Sequence, residues 1–195
     1  FHTWEGGGKI HDDYVDAYLL RGLTRMKEGK YKEAIDDFQA SLLYPDNLEV
    51  GKPIVDEKEA RALYLIGSAY EKVSDAGKAH DYYQQSAGIQ AHSPEILFYQ
   101  GLALQKLDQP DRAAQIFDRI IAQGKERLTR AEGADFFAKF GERQTPQVRQ
   151  AIAHYIQALG WIGKGDAQTA ADELRQAVEL NPNYAWAKMH LSELP

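Results

Sequence analysis

The sequence predicts an all-α fold, a right-handed stack of about four helix hairpins with two insertions and a capping helix at the C-terminus. A small residue recurs inside apolar helical runs, and a second small residue follows 12 positions later in each of four copies. A large residue, aromatic in three copies and leucine in the fourth, comes four positions after that. A fixed-offset repeat of this kind indicates stacked hairpins and favours binding over catalysis. The four sets are Gly22, Ala34 and Phe38; Gly67, Ala79 and Tyr83; Gly101, Ala113 and Phe117; and Ala158, Ala170 and Leu174.

Composition and charge narrow the classes of function. The chain has 195 residues, of which 27% are charged, and a formal net charge of −6. It has no basic run, which argues against a nucleic-acid partner, and no apolar run near the roughly 20 residues that span a bilayer. It has no cysteine, so disulfides and cysteine-ligated metals are excluded. We therefore expect no cofactor, no membrane insertion and a protein partner, in a soluble protein whose compartment stays open.

The first residues predict an extended lead-in over residues 1–12, because they contain a glycine run and no helical period. Trp4 in this segment is expected to dock on the first helices or on a domain upstream. An upstream domain is expected because the chain begins at Phe1 rather than at a methionine. Asp12 or Asp13 would then cap the first helix.

The rest of the chain, residues 13–195, predicts one helical-repeat domain of about ten helices. Helix-stop and helix-start residues such as Gly29 and Asp166 separate the two helices of a hairpin. A short last helix would begin a further repeat and cap the stack. The predicted helices lie near residues 13–28, 31–43, 58–73, 76–89, 94–107, 110–123, 126–140, 146–163, 167–180 and 184–193.

Uneven spacing between the copies predicts two insertions. The first small residues are separated by 45, 34 and 57 positions, against a usual period of about 34. The first insertion covers residues 45–57 and, with its prolines and glycine, predicts a structured loop. The second covers residues 122–148 and contains an apolar helix with three phenylalanines, which should pack against the protein rather than face water. These phenylalanines are Phe136, Phe137 and Phe140.

Several of these positions together resemble the tetratricopeptide repeat, whose unit is two antiparallel helices in about 34 residues. The first copy reads Tyr18, Gly22, Ala34 and Phe38, and the fourth ends in the sequence Asn181-Pro182-Asn183. The resemblance predicts repeats near residues 15–47, 60–92, 94–122 and 151–183. It implies a scaffold for protein–protein or domain–domain interaction.

The same resemblance implies a binding groove lined by the first helix of each repeat. Members that clamp a terminal carboxylate use basic residues and asparagines there, and this chain has apolar or aromatic residues at the matching positions. We therefore do not expect a carboxylate clamp. Either the phenylalanine segment or another domain fills this groove, or the groove is an open peptide site. The predicted groove residues are Leu19, Leu23, Tyr64, Ser68, Phe98, Leu102, Tyr155 and Leu159.

No constellation of residues predicts catalysis. The six histidines include no pair at the spacing of a zinc-binding helix, and the Gly6–Lys9 run lacks the spacing of a phosphate loop. Adjacent carboxylates such as Asp36 and Asp37 point in different directions on a helix. We therefore predict no catalytic residue, no metal site and no enzyme activity for this chain alone, and leave the activity of a full-length protein open.

The whole chain also resembles the C-terminal repeat region of large bacterial proteins that have an upstream β-rich domain like those of carbohydrate-active enzymes. The stretches that carry this likeness include residues 1–7, 44–52, 136–144 and 153–155. The resemblance implies the C-terminal module of a larger bacterial protein, in the cytoplasm or the periplasm. It leaves a second interpretation, in which the insertions help close a sugar site. The docking or loop residues predicted on this basis are Trp4, Asn47, Lys52 and His154.

Overall fold

The computed structural model describes residues 7–132 and 145–195, with side chains described within 10–130 and 145–195. Across these residues it contains nine α-helices, one 3-10 turn and no β-strand, which confirms the predicted all-α fold. The chain divides into two compact units, unit 1 from Phe1 to Asp108 and unit 2 from Gln109 to Pro195. The right-handed path of the whole stack stays a prediction.

Unit 1 consists of two helix hairpins followed by a single helix. Helices that follow one another along the chain contact each other, and α3 also contacts α5. The turn in the first hairpin places Gly29 at a φ of 76°, and the turn in the second places Ser74 at 62°. A left-handed residue at this position lets the chain reverse direction at the end of a helix. The elements are α1 (Gly7–Lys27), α2 (Tyr31–Ala40), a 3-10 turn (Asp46–Leu48), α3 (Glu59–Lys72), α4 (Ala76–Gly88) and α5 (Pro94–Lys106).

Unit 2 is a chain of four helices in which each contacts the next. Thr145 caps α7 by accepting a hydrogen bond from the backbone of Val148 at 3.2 Å. Gly165, at a φ of 78°, ends α7, and Asp166 caps α8 by accepting from the backbone of Thr169 at 3.0 Å. Such caps satisfy backbone groups that the helix leaves unpaired. The helices are α6 (Pro110–Glu132), α7 (Pro146–Lys164), α8 (Ala167–Leu180) and α9 (Ala185–Glu193).

Two of the repeated glycines, Gly22 and Gly67, are sites of close packing. A Cβ on Gly22 would clash with the ring of Phe38, and a Cβ on Gly67 would lie 2.8 Å from the ring of Tyr83. The small and large residues that follow in each copy are buried, and they form the core of the hairpins. Gly163, which the repeat pattern does not include, is a further site of this kind, because Phe117 of α6 packs directly on it.

The predicted extended lead-in over residues 1–12 is wrong where the structure describes it, because α1 already begins at Gly7. The reason is a set of long-range contacts made by His11. Its ring stacks on Tyr44 with 3.8 Å between centroids, and its Nε2 lies 3.1 Å from the carbonyl oxygen of Leu43. Packing of this kind overrides the low helix propensity of the glycines. Neither Asp12 nor Asp13 is therefore a helix cap, and Trp4 lies outside the described residues.

A second prediction is wrong at the start of the second insertion. The sequence predicts a break between helices near residues 123–126, but α6 continues without interruption to Glu132. Gly124 lies inside this helix, where a Cβ would be 2.9 Å from the backbone nitrogen of Gln157 and 3.0 Å from the carbonyl oxygen of Ala153. The glycine thus allows α7 to approach α6 rather than ending the helix. The predicted phenylalanine helix, with Phe136, Phe137 and Phe140, lies outside the described residues.

Candidate functional site

The strongest candidate site is the surface along α3 and α5 in unit 1, which we call the α3–α5 face. The rings of Tyr64 and Tyr99 lie 5.8 Å apart, and the ammonium of Lys106 lies 2.7 Å from the carboxylate of Glu71. Both pairs join residues 35 positions apart, so the two helices run side by side in the same direction. Half-buried Ser68 and Leu102 lie between the two pairs along these helices. The α3–α5 face comprises Tyr64, Ser68, Glu71, Leu102 and Lys106.

Tyr83 of α4 forms the floor of this face. Its side chain is buried, and its ring lies 5.5 Å from the ring of Tyr64. The same ring packs directly on Gly67. Burial, and next the charge of Glu71, raise the pKa of the Tyr83 phenol above its usual value. The face therefore has a fixed, neutral aromatic floor with a charged pair at one end.

The eight predicted groove residues divide into two groups. Leu23, Tyr64, Ser68 and Leu102 are half-buried and remain accessible in part. The other four are buried in the core of the described structure, and their role in binding stays a prediction. Each of them lies on a helix that contacts other helices of its own unit, and the repeat pattern alone does not separate such positions from solvent-facing ones. These core residues are Leu19, Phe98, Tyr155 and Leu159.

The first insertion is a loop held by several polar contacts. The hydroxyl of Tyr44 donates to Asp56 at 2.6 Å, and the ammonium of Lys52 lies 2.5 Å from Glu59. The predicted loop residue Asn47 is exposed within the 3-10 turn. This part of the sequence prediction, a structured loop, agrees with the structure, and the role of Asn47 and Lys52 in docking stays a prediction.

Glu57 joins the first insertion to the start of α5. Its carboxylate accepts hydrogen bonds from the backbone of His92 at 2.7 Å and from the backbone and hydroxyl of Ser93. Burial opposes ionisation of this carboxyl, but the hydrogen bonds outweigh it and lower the pKa of Glu57. Sequence inspection did not identify this contact, because His92 and Ser93 lie 35 and 36 positions after Glu57 in the chain.

His154 of α7 pairs with Glu173 of α8, with 2.7 Å between Nδ1 and Oε2. The two residues border a shallow surface pocket of about 280 Å³, together with Asp172 and Arg175. The hydroxyl of Thr169, which also borders this pocket, donates a hydrogen bond to the carboxylate of Asp166 at 2.7 Å. The arrangement offers a charged, hydrogen-bonding surface without an activated nucleophile.

Within the described ranges, 7–132 and 145–195, there is no group of three histidine or acidic side chains that could hold a metal ion. In the same ranges, every helix is too short or too polar to cross a bilayer.

Sequence reasoning missed several exposed apolar side chains. Four large apolar side chains are exposed near the start of α1, the end of α2 and the first insertion. The sequence signal that could have indicated them is the pair Ile54-Val55 inside an otherwise polar, proline-containing loop. The other two are Ile10 and Leu43.

Comparisons with known proteins identify the repeats. Family models described as tetratricopeptide repeat match residues 15–46, 60–92 and 95–123. These three segments are therefore tetratricopeptide repeats, as the period of small residues predicts. The fourth predicted repeat, 151–183, lies outside these matches and stays a prediction. Tetratricopeptide repeats are in general non-catalytic modules of protein–protein interaction, and the chain is consistent with that role.

A curated relative is the photosystem I assembly protein Ycf3 of Rippkaea orientalis, which is 23% identical over 145 residues, or 74% of this chain and 72% of that protein. Similar solved structures include MamA from Desulfovibrio magneticus RS-1 (16% identity, TM-score 0.33, covering 93% of this chain and 83% of that chain). Another is the TPR2AB domain of yeast Sti1 in complex with pHSP90 (18% identity, TM-score 0.36, covering 97% and 74%).

Proposed function

We propose that this chain is a non-catalytic scaffold that binds a polypeptide through the α3–α5 face. The bound polypeptide is either an upstream domain of the same protein or a second protein, and the chain is the C-terminal module of a larger bacterial protein. The observation that carries the proposal is the row of half-buried apolar and polar side chains along two parallel helices. In this row Tyr64 and Leu102 offer apolar contact, and Ser68 offers a hydroxyl.

The chemistry of the face suits a polypeptide ligand. Aromatic and leucine side chains that are half-buried in the free protein gain further burial when an apolar side chain of the ligand packs on them. The hydroxyl of Ser68 can donate to or accept from a main-chain group. The Glu71–Lys106 pair lies at the edge, where charges contribute more to orientation and association rate than to affinity. The similarity to an assembly protein supports a scaffold role and does not name the partner.

The alternative interpretation, a part of a carbohydrate-active enzyme that closes over a sugar, rests on resemblance. Of the three residues Asn47, Lys52 and His154 on which this interpretation depends, two already have partners in the structure. Lys52 forms an ion pair with Glu59, and His154 forms a hydrogen bond with Glu173. A sugar would have to compete with these two contacts. We therefore place polypeptide binding first.

Photo-crosslinking in the full-length protein, produced in its own host cells, tests the proposal. A p-benzoylphenylalanine at position 102 places the reactive group on the α3–α5 face, and the same group at Gln85, on the exposed side of α4, is the control. We expect a cross-link at position 102 that is absent at position 85. A cross-link within the same polypeptide indicates domain docking, and one to a second protein indicates a separate partner. Equal cross-linking at both positions, or none, would contradict the proposal.

A further inference from the structure

The charged end of the α3–α5 face already holds a cation, the ammonium of Lys106. Its Nζ lies 2.7 Å from the Oε2 atom of Glu71 and 5.9 Å from the centre of the Tyr83 ring. A carboxylate and an aromatic ring are two kinds of group that attract an ammonium or a guanidinium in proteins. The chain's own lysine therefore marks a place on this face where a cationic side chain is stabilised.

Contacts within unit 1 join this place to the rest of the face. Burial, and next the charge of Glu71, raise the pKa of the Tyr83 phenol, so the carboxylate lies near that side chain. The ring of Tyr83 lies 5.5 Å from the ring of Tyr64, which in turn lies 5.8 Å from the ring of Tyr99. The acid, the lysine and the aromatic side chains thus form one cluster.

Lys106 is held loosely enough to be displaced. The side chains of Lys106 and Glu71 are 41% and 37% exposed, and ion pairs exposed to this extent contribute little to stability. The 5.9 Å between Nζ and the Tyr83 ring is close to the limit of roughly 6 Å for a cation–π contact. A cation from a ligand can therefore replace Lys106 at small cost, and the lysine then extends into solvent.

The ends of two helices add to the preference for positive charge at this place. Glu71 lies one residue before the end of α3 at Lys72, and Lys106 is the last residue of α5. The two helices run in the same direction, so both C-termini lie at this end of the face. The C-terminus of a helix carries a partial negative charge, which favours a cation beside it.

We propose that the α3–α5 face binds a lysine or arginine side chain of its polypeptide ligand, that Glu71 accepts it, and that Lys106 occupies the same place until the ligand displaces it. The inference rests on the proposed function, because it assigns the chemistry of the ligand at the same face. A long basic side chain lays its apolar stem along apolar surface and keeps its charged head in a polar place. Here Leu102 and Tyr64 offer the apolar surface, and Glu71 offers the acid.

A model ligand tests this chemistry directly. N-acetylarginine methylamide is titrated into the 195-residue chain at constant ionic strength, and NMR follows the backbone amide resonances of Glu71 and Leu102. N-acetylcitrulline methylamide, which has nearly the same shape without the charge, is the control ligand. We expect the resonances to shift at a lower concentration of the arginine compound than of the citrulline compound. Equal shifts with both compounds, or none with either, would overturn the inference.

Two substitutions separate the acceptor from the competitor. Lys106→Gln should tighten binding of the arginine compound about two- to fivefold, because it removes the cation already paired with Glu71. Glu71→Gln should weaken binding and abolish the difference between the arginine and citrulline compounds. Lys72→Gln is the matched control, because it removes an exposed lysine at the end of α3 and changes the net charge equally. If Lys106→Gln tightens binding no more than Lys72→Gln does, the inference is wrong.

The cross-linked partner distinguishes failure of this inference from failure of the proposed function. We expect Lys106→Gln to bind that partner more tightly than the natural chain does. A cross-link at position 102 together with equal partner affinity of the two chains would leave polypeptide binding intact and overturn the assignment of a basic side chain. Absence of the cross-link would instead overturn the proposed function, and the inference with it.

Discussion

At the scale of single residues, the hairpins depend on the absence of a side chain where two helices cross. Phe38 is completely buried and packs where a Cβ of Gly22 would otherwise be. A glycine inside a helix costs about 1 kcal/mol relative to alanine in helix propensity. The packing of Phe38 offsets this cost.

The substitution Gly22→Ala should therefore destabilise the protein even though alanine is the better helix former. We expect the free energy of unfolding to fall by about 1 to 3 kcal/mol, the usual range for overpacking a core. Urea denaturation followed by circular dichroism measures the change. The control Gly77→Ala, in α4 with no packed neighbour closer than 3.9 Å, should be neutral or slightly stabilising. A stabilised Gly22→Ala would contradict this account of the crossing.

The sequence could predict part of this packing but not all of it. The fixed offset identifies Gly22 and Gly67, because each packs on the large residue of its own copy. Gly163 packs on Phe117 of the preceding copy, and Gly124 packs on the backbone of α7. Contacts between residues of different copies depend on how far each helix extends past its neighbour. The second insertion lies between the third and fourth copies, so no fixed spacing in the sequence indicates these contacts.

At the scale of helices and loops, some helices begin at a capping residue that is close in the sequence. Others begin where packing against a distant residue stabilises the first turn. Thr145 and Asp166 cap their helices within three residues, and the predicted starts of α7 and α8 agree with the structure. The start of α1 instead depends on His11 packing against Tyr44, 33 residues away. A sequence pattern read in short windows does not contain that information.

Glu57 provides a test at this scale, because it joins the first insertion to α5. Hydrogen bonds to a charged carboxylate contribute about 1.5 to 3 kcal/mol, so Glu57→Gln should lower the free energy of unfolding by about 1 to 2 kcal/mol at pH 7. Because folding lowers the pKa of Glu57, its contribution is fully present above the usual carboxyl range near pH 4.3. It should be lost as the pH falls through the lowered pKa.

Urea titrations between pH 3 and pH 7 measure this effect. The stability difference between the natural protein and Glu57→Gln should shrink as the pH falls. The control Glu49→Gln replaces an exposed acid of the same insertion and should change stability by less than about 0.5 kcal/mol. A difference that is constant with pH would show that the Glu57 charge does not hold the loop.

At the scale of the whole molecule, charge is divided unevenly between the two units. Residues 1–108 contain 18 acidic and 12 basic residues, whereas residues 109–195 contain 11 of each. The net charge of −6 therefore belongs entirely to unit 1, which also contains the α3–α5 face. We expect the surface of a bound polypeptide that faces unit 1 to be neutral or basic.

The central claim is that the α3–α5 face binds a polypeptide, and one measurement tests it most directly. Isothermal titration calorimetry would compare the affinity of the cross-linked partner for the natural chain, for Leu102→Gln and for Leu180→Gln. Both leucines are half-buried, but Leu180 ends α8 in unit 2. Loss of roughly half of a buried leucine contact, about 1.4 kcal/mol, should weaken binding about tenfold in Leu102→Gln. Leu180→Gln should bind as the natural chain does, and equal affinity of the two variants would contradict the claim.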